Sequence, residues 1–136
     1  MDSTYRITPE RISSLLPGQI FVFGSNCFGH HAGGAARFAL DHFGAVWGKG
    51  EGLQGQSYAI PTMEGLDITR QAVERFITFA QQNQELTFLV TPIGCGIAGY
   101  TADEIAPLFN GAQRIDNIYL PESFLKVLLR CEKKNK

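Results

Sequence analysis

Residues 86–109 read LTFLVTPIGCGIAGYTADEIAPLF, and this stretch decides the fold. Leu86 to Ile93 is an apolar run of strand length with no polar alternation, which predicts a strand buried on both faces. Gly94, Gly96 and Gly99 then crowd a loop of small residues. Thr101 or Asp103 can cap the helix that follows, with Ile105, Leu108 and Phe109 turned to the core. A turn alone needs fewer glycines, so the loop calls for a second explanation.

The same plan occurs earlier in the chain. Ile20, Phe21, Val22 and Phe23 form a second buried-strand run that ends at Gly24-Ser25-Asn26. From Gly34 the pattern AARFALDHF has helical spacing, with Ala35, Phe38, Ala39 and Phe43 on one side and Gly44 closing it. Around these units the chain predicts a short helix from Thr8 to Leu16, opened by Pro9 and stopped by Pro17-Gly18. It also predicts a loop over AVWGKGEGLQG and a strand Ser57–Pro61, then a long helix capped by Asp67 with Ile68, Ala72, Phe76, Phe79 and Ala80 inward, ending near Asn83. A strand near Asn117 to Leu120 and a helix from Glu122 to about Arg130 complete it. Strands alternating with helices imply an α/β sheet covered on both sides.

With 136 residues the chain is long enough for one core and short for two, so 1–136 is read as a single domain. An apolar fraction of 44% and a charged fraction of 18% are those of a globular protein, without a membrane-length apolar run. The opening MDSTYRITPERISS has no hydrophobic block, which predicts a cytoplasmic protein. Net charge is −1 and basic residues are scattered outside the tail KKNK, which argues against a duplex nucleic-acid face. Cys27, Cys95 and Cys131 lack CxxC spacing, so neither a disulfide framework nor a structural zinc site is expected.

Twelve of the fifteen glycines fall in three groups: Gly24 to Gly34, Gly44 to Gly55, and Gly94 to Gly99. In an α/β sheet the ligand crevice lies beyond the carboxyl ends of the strands, where the first and third groups would meet. Glycine lets the backbone come close to a ligand, and successive N–H groups at a loop or helix start form an anion site. Tight turns explain any one glycine; two such loops on equivalent strands point to phosphate.

Gly94-Cys95-Gly96-Ile97-Ala98-Gly99 fits GxGxxG after a strand and before a helix, the pattern of a Rossmann-like NAD-dependent oxidoreductase. Tyr100-Thr101 intervene before the helix, however, and the unit sits late in the chain. Gly50 to Gly55 fits the same expression but leads into a strand, and Gly48-Lys49 lacks the Ser or Thr of a Walker A loop.

Taken in order, FVFGSN, HHAGGAA, QSYAIPT and VTPIGCGIAGYTADEIAPLF resemble a divergent macro domain, the ADP-ribose-binding fold, over most of the chain. The resemblance implies a three-layer α/β/α sandwich with a mixed central sheet. It places Gly24, Ser25 and Asn26 at the first strand end, with Asn26 on the distal ribose. Gly33, Gly34 and Ala35 fall on the glycine loop, and Gly94, Cys95, Gly96, Ile97, Ala98, Gly99 and Tyr100 on the diphosphate loop, with Tyr100 beside the ribose. The implied ligand is ADP-ribose or a related nucleotide, extending to an ADP-ribosylated macromolecule, with no cofactor and no metal. If the protein is an enzyme, the resemblance implies an ADP-ribosyl hydrolase.

Two departures bear on that. Hydrolytic members carry an aspartate after the glycine loop where this chain has Ala36 and Arg37, and Arg6 in YRIT replaces an adenine-binding aspartate. Candidate catalytic residues are therefore Asn26, for positioning, and Glu51, the carboxylate of the loop GKGEGLQG, as a base flanked by Trp47 and Gln54. Cys27-x-x-His30 is at most half a metal site, and His30 and His31 are expected to be solvent-exposed loop residues. Cys95 with His30 or His31 is a conceivable nucleophile–base pair, against a small residue filling a crowded loop. A noncatalytic interaction module is the remaining alternative.

Overall fold

The computed structural model describes residues 6–134; Tyr5 of YRIT and Asn135 and Lys136 of the basic tail lie outside them. The strands are β1 (Gln19–Ser25), β2 (Gly52–Gln54), β3 (Ser57–Pro61), β4 (Thr87–Val90) and β5 (Ile118–Tyr119). The helices are α1 (Gly34–His42), α2 (Leu66–Gln81), α3 (Ala102–Ile105) and α4 (Glu122–Lys134), with 3-10 turns over Ala106–Phe109 and Ala112–Arg114. The sheet runs β2-β3-β1-β4-β5. β1 pairs in parallel with β3 and β4, β4 in parallel with β5, and β2 antiparallel with β3, so the sheet is mixed.

Side chains alternate across a strand, and both sides of β1 are covered. Ile20 and Val22 join Tyr58, Ile60, Phe88 and Val90 in a core closed by α2, the 3-10 turn at Phe109, and α4. Phe21 and Phe23 turn the other way, onto Ala36, Ala39 and Phe43 of α1 and its C-terminus. The result is the expected α/β sandwich: α1 on one face, α2, α3 and α4 on the other. Tyr58, Phe76 and Phe88 meet edge to face at 5.1–6.3 Å, adding specific geometry to the area they bury.

Several local expectations are corrected. The Thr8–Leu16 helix is absent. Ile7 bridges Leu120 in parallel, the Thr8 amide donates to the Leu120 carbonyl at 2.9 Å, and the Leu120 amide donates to the Arg6 carbonyl at 3.1 Å. So short a segment gains little by nucleating a helix, and sheet pairing captures its start while Ile12 and Leu15 pack toward α1. The loop 45–55 contains β2, hidden by glycine's poor strand propensity. α2 begins after Gly65, whose φ of 103° suits only glycine, and Asp67 sits inside the first turn paired with Arg70. Ile68, expected inward, is 38% exposed. α3 starts on a Thr101–Glu104 capping box but tightens into a 3-10 turn one residue before Pro107, which has no N–H to continue it. α4 extends past Arg130 to Lys134, and no described helix is long and apolar enough to cross a membrane.

Phe76 is fully buried between α2 and the sheet. Phe76→Ala should lower unfolding free energy by about 3–5 kcal/mol in chemical denaturation, while Ile68→Ala should stay within about 1 kcal/mol. Burial pushes the Tyr58 phenol up to about 12, with Glu51 adding to the rise and Arg75 opposing it. Tyrosine in an unfolded chain ionises near roughly pH 10, so the native state holds the extra proton above that pH and stability falls as pH climbs toward the folded value. Denaturation of Tyr58→Phe in parallel with the parent should show a shallower alkaline loss in the variant.

Candidate functional site

The chain leaves β1 toward α1 on one face and leaves β4 toward α3 on the other. Between adjacent parallel strands whose connections diverge in this way, a crevice must open beyond their carboxyl ends. It does: a cleft of about 390 Å³ is lined by Gly24, Ser25 and Asn26 at the end of β1, by Gly33 to Ala36 at the start of α1, and by Thr91 to Gly94 and Gly96 to Ala98 after β4. Thr62 and Met63, after β3, complete one wall. A second hollow of about 790 Å³ shares Gly34, Ala35, Thr91 and Pro92 with the cleft and continues along Phe21 and Phe38 to Pro121–Ser123 at the start of α4.

The two glycine loops therefore meet. Of the residues singled out in the sequence, Gly24, Ser25, Asn26, Gly33, Gly34, Ala35, Gly94, Gly96, Ile97 and Ala98 line the cleft. Cys95, Gly99, Tyr100 and Glu51 do not. Tyr100 packs against the core on the α3 side, its ring beside Gly94, and its amide donates to the Gly94 carbonyl. Glu51 lies in a separate open hollow of about 760 Å³ with Tyr58 and Arg75, gripped by the Arg75 guanidinium at 2.6 and 2.9 Å.

Glycine's roles separate once a methyl group is imagined at each position. At Gly50 a Cβ would stand 2.3 Å from the Asn26 carbonyl, and at Gly29 it would stand 2.3 Å from the Lys49 amide nitrogen. These glycines let the 26–29 and 48–50 segments touch backbone to backbone, joined by Gly48 N–H donating to Gly29 and by Ser25 Oγ donating to Gly50. Gly44 and Gly55 touch in the same manner. Gly33 and Gly96 are the opposite case. Neither has a positive φ, nor any atom within 4 Å of a built Cβ, so the fold itself makes no demand for glycine there. Exposed Gly111 shares that property away from the cleft.

The backbone donors divide likewise. In the β4 loop the amides of Cys95, Gly99 and Tyr100 are spent on the carbonyls of Pro92, Gly96 and Gly94. Among the described residues, those of Gly96, Ile97 and Ala98, and of Gly34, Ala35 and Ala36 in the first turn of α1, have no protein acceptor. The α1 N-cap, Gly33, offers no side chain to satisfy them.

Asn26 holds the first loop in shape: Oδ1 accepts from the His30 amide at 3.1 Å, Nδ2 donates to the His30 carbonyl at 3.3 Å, and its own carbonyl accepts from Gly29. His31, expected in solvent, is fully buried, with its ring edge-on to Phe23. Its Nε2 faces two acceptors, Lys49 O at 3.1 Å and Gln54 Oε1 at 3.3 Å, which assigns the hydrogen to Nε2. Gln54 also accepts from the Val46 amide and donates to Lys49 and Gly52, so His31 and Gln54 together staple loop 45–54 beneath the 26–31 loop.

Burial, with Glu104 contributing, pushes the Cys95 thiol up, which opposes the nucleophile reading. The Cys27 thiol is also pushed up, first by its hydrogen bond with Glu64, and no cluster of three metal-ligating side chains occurs among the described residues. Sequence reasoning does not single out His30, Thr62 or Thr91 as cleft residues; Thr62 follows the expected strand Ser57–Pro61, and Thr91 falls within the expected strand Leu86–Ile93, which ends at Val90 and so frees Thr91 to the cleft.

Gly50→Ala should cost at least about 2 kcal/mol because neither backbone can retreat, whereas Gly33→Ala and Gly96→Ala should stay within about 1 kcal/mol of the parent. Thermal or denaturant melts of the three variants check this; a large loss at Gly33 and Gly96 would give those glycines a structural duty. Comparison of the chain with protein-family models, curated proteins and solved structures finds no match.

Proposed function

We propose that the cleft binds ADP-ribose or a closely related nucleotide diphosphate, as the divergent macro-domain reading of the sequence implies. The observation that carries the proposal is the pair Gly33 and Gly96: they line one cleft from its two loops, and the fold leaves room for a side chain at each. Around them lie six backbone amides without a protein acceptor. A charged oxygen gains about 1.5–3 kcal/mol from each donor it engages, and three or four such bonds leave micromolar affinity, about −8 kcal/mol, after association is offset.

The larger hollow suits the base. Phe21 and Phe38 give it apolar wall, and Glu10 and Glu122 supply carboxylates for an exocyclic amine. Arg6 does not take the place of the adenine-binding acid; its guanidinium donates to the Gln113 carbonyl. Binding rather than turnover is the reading favoured, since among the described residues His30 is the one ionisable side chain lining the smaller cleft and Glu51 is committed to Arg75. An oxidoreductase of Rossmann type is less well supported: α3 has four residues and begins beyond the glycine pattern, unlike the long helix that carries a dinucleotide pyrophosphate.

Titration calorimetry should give a micromolar constant for ADP-ribose and at least about tenfold weaker binding for AMP, which lacks the second phosphate and distal ribose. Gly33→Glu and Gly96→Glu should each abolish binding while melting like the parent. Absence of binding to the parent at millimolar ADP-ribose would end the proposal.

A further inference from the structure

Beside the cleft three aromatic rings lie nearly parallel on the surface. Phe28 and His30 are 5.7 Å apart at 30°, and His30 and Trp47 are 5.2 Å apart at 13°. Phe28 is 72% exposed and Trp47 is 54% exposed, an uncommon outlay of large apolar surface when eight other aromatic side chains among the described residues are buried in the two cores. The rings come from two different loops, held in register by the Gly29–Gly48 hydrogen bond and by the close approach at Gly50. The platform is thus ordered before any ligand arrives. Its middle rung, His30, also lines the cleft, so the two surfaces are continuous.

Charge narrows the occupant. Among the described residues no lysine or arginine lines the cleft, and the Lys49 ammonium is occupied by the Leu53 carbonyl at 2.7 Å. The Glu64 carboxylate sits on the Cys27 amide, next in sequence to Phe28. Indole and phenyl faces are themselves negative and attract a flat cation. A single-stranded nucleic acid also stacks on aromatics but needs a basic groove for its backbone, which a net charge of −1 and this cleft do not provide.

We infer that the Phe28–His30–Trp47 stack seats a second planar ring of the ligand, a cationic heteroaromatic of the pyridinium class carried beyond the diphosphate and distal ribose. This rests on the nucleotide reading of the cleft, which places the diphosphate beside His30. The site would then prefer an intact pyridinium dinucleotide to ADP-ribose, with the base in the larger hollow and the cationic ring on the stack.

NAD carries that ring on the distal ribose where ADP-ribose carries a hydroxyl, and Trp47 is the only tryptophan in the chain. Calorimetry on the full chain should show oxidised NAD binding about fivefold tighter than ADP-ribose, the gain of an ordinary cation–π contact, with NADH losing that advantage because its ring is neutral. NAD should quench Trp47 emission and ADP-ribose should not. Trp47→Ala should bring the NAD to ADP-ribose affinity ratio to about one, and Trp47→Phe should restore most of it, both variants being checked for native circular dichroism. Equal affinities, or equal quenching by both ligands, would overturn the inference and leave the nucleotide reading standing. Quenching by a short single-stranded oligonucleotide but not by NAD would overturn it in favour of a strand; failure of NAD and ADP-ribose alike to bind at millimolar concentration would remove both readings.

Discussion

The structure depends on β1 being buried on both faces. Ile20 and Val22 belong to one core and Phe21 and Phe23 to the other, and all four are at most a few per cent exposed. That strand is covered by helices above and below and parallel-paired on either side, and the connections of its neighbours run over opposite faces. The cleft is the geometric consequence. Where the chain turns one way from β1 and the other way from β4, the space between the two exits cannot be filled by either connection. A crevice at that place follows from the packing of the strands and needs no separate device to create it.

The glycine-rich composition resolves into two physical duties. Gly29, Gly44, Gly50 and Gly55 bring backbone against backbone, building a rigid support from the 26–31 and 45–55 segments with His31 and Gln54 buried between them. Gly33 and Gly96 keep space open. The first duty underwrites the second: a stapled loop holds Asn26 and His30 in fixed positions at the cleft edge, so that little ordering is left for a ligand to impose.

The elements that frame the cleft were legible in the sequence because their signals are local and strong. The runs at Ile20–Phe23 and Phe88–Val90 are apolar on consecutive residues, and the α1 and α2 patterns hold helical spacing, so β1, β4, both helices and the meeting of two loops followed directly, although β4 stops at Val90, short of the expected Ile93. What was missed is decided by partners distant in the chain. Ile7 pairs with Leu120, which no property of Thr8–Leu16 announces. β2 exists because Leu53 finds Tyr58 in the sheet, against the propensity of its glycine neighbours. His31 looks like any loop histidine until Phe23 and Gln54 enclose it, and Glu51 looks like a cleft base until Arg75 on α2 claims it. Tyr100 was placed beside the ligand by its position in a motif, whereas the turn bonded from its amide to Gly94 carries the ring toward the core.

The central claim is that main-chain N–H groups of two loops hold one anionic ligand between β1 and β4. Amide chemical-shift mapping by NMR during a titration with ADP-ribose tests it most directly. The account predicts that the largest shifts fall together on Gly34, Ala35, Ala36, Gly96, Ile97 and Ala98, moving with a single saturation curve, while Cys95 and Tyr100, whose amides are already bonded within the loop, move less. Shifts centred instead on Glu51, Arg75 and the α2 face, or confined to only one of the two loops, would contradict it.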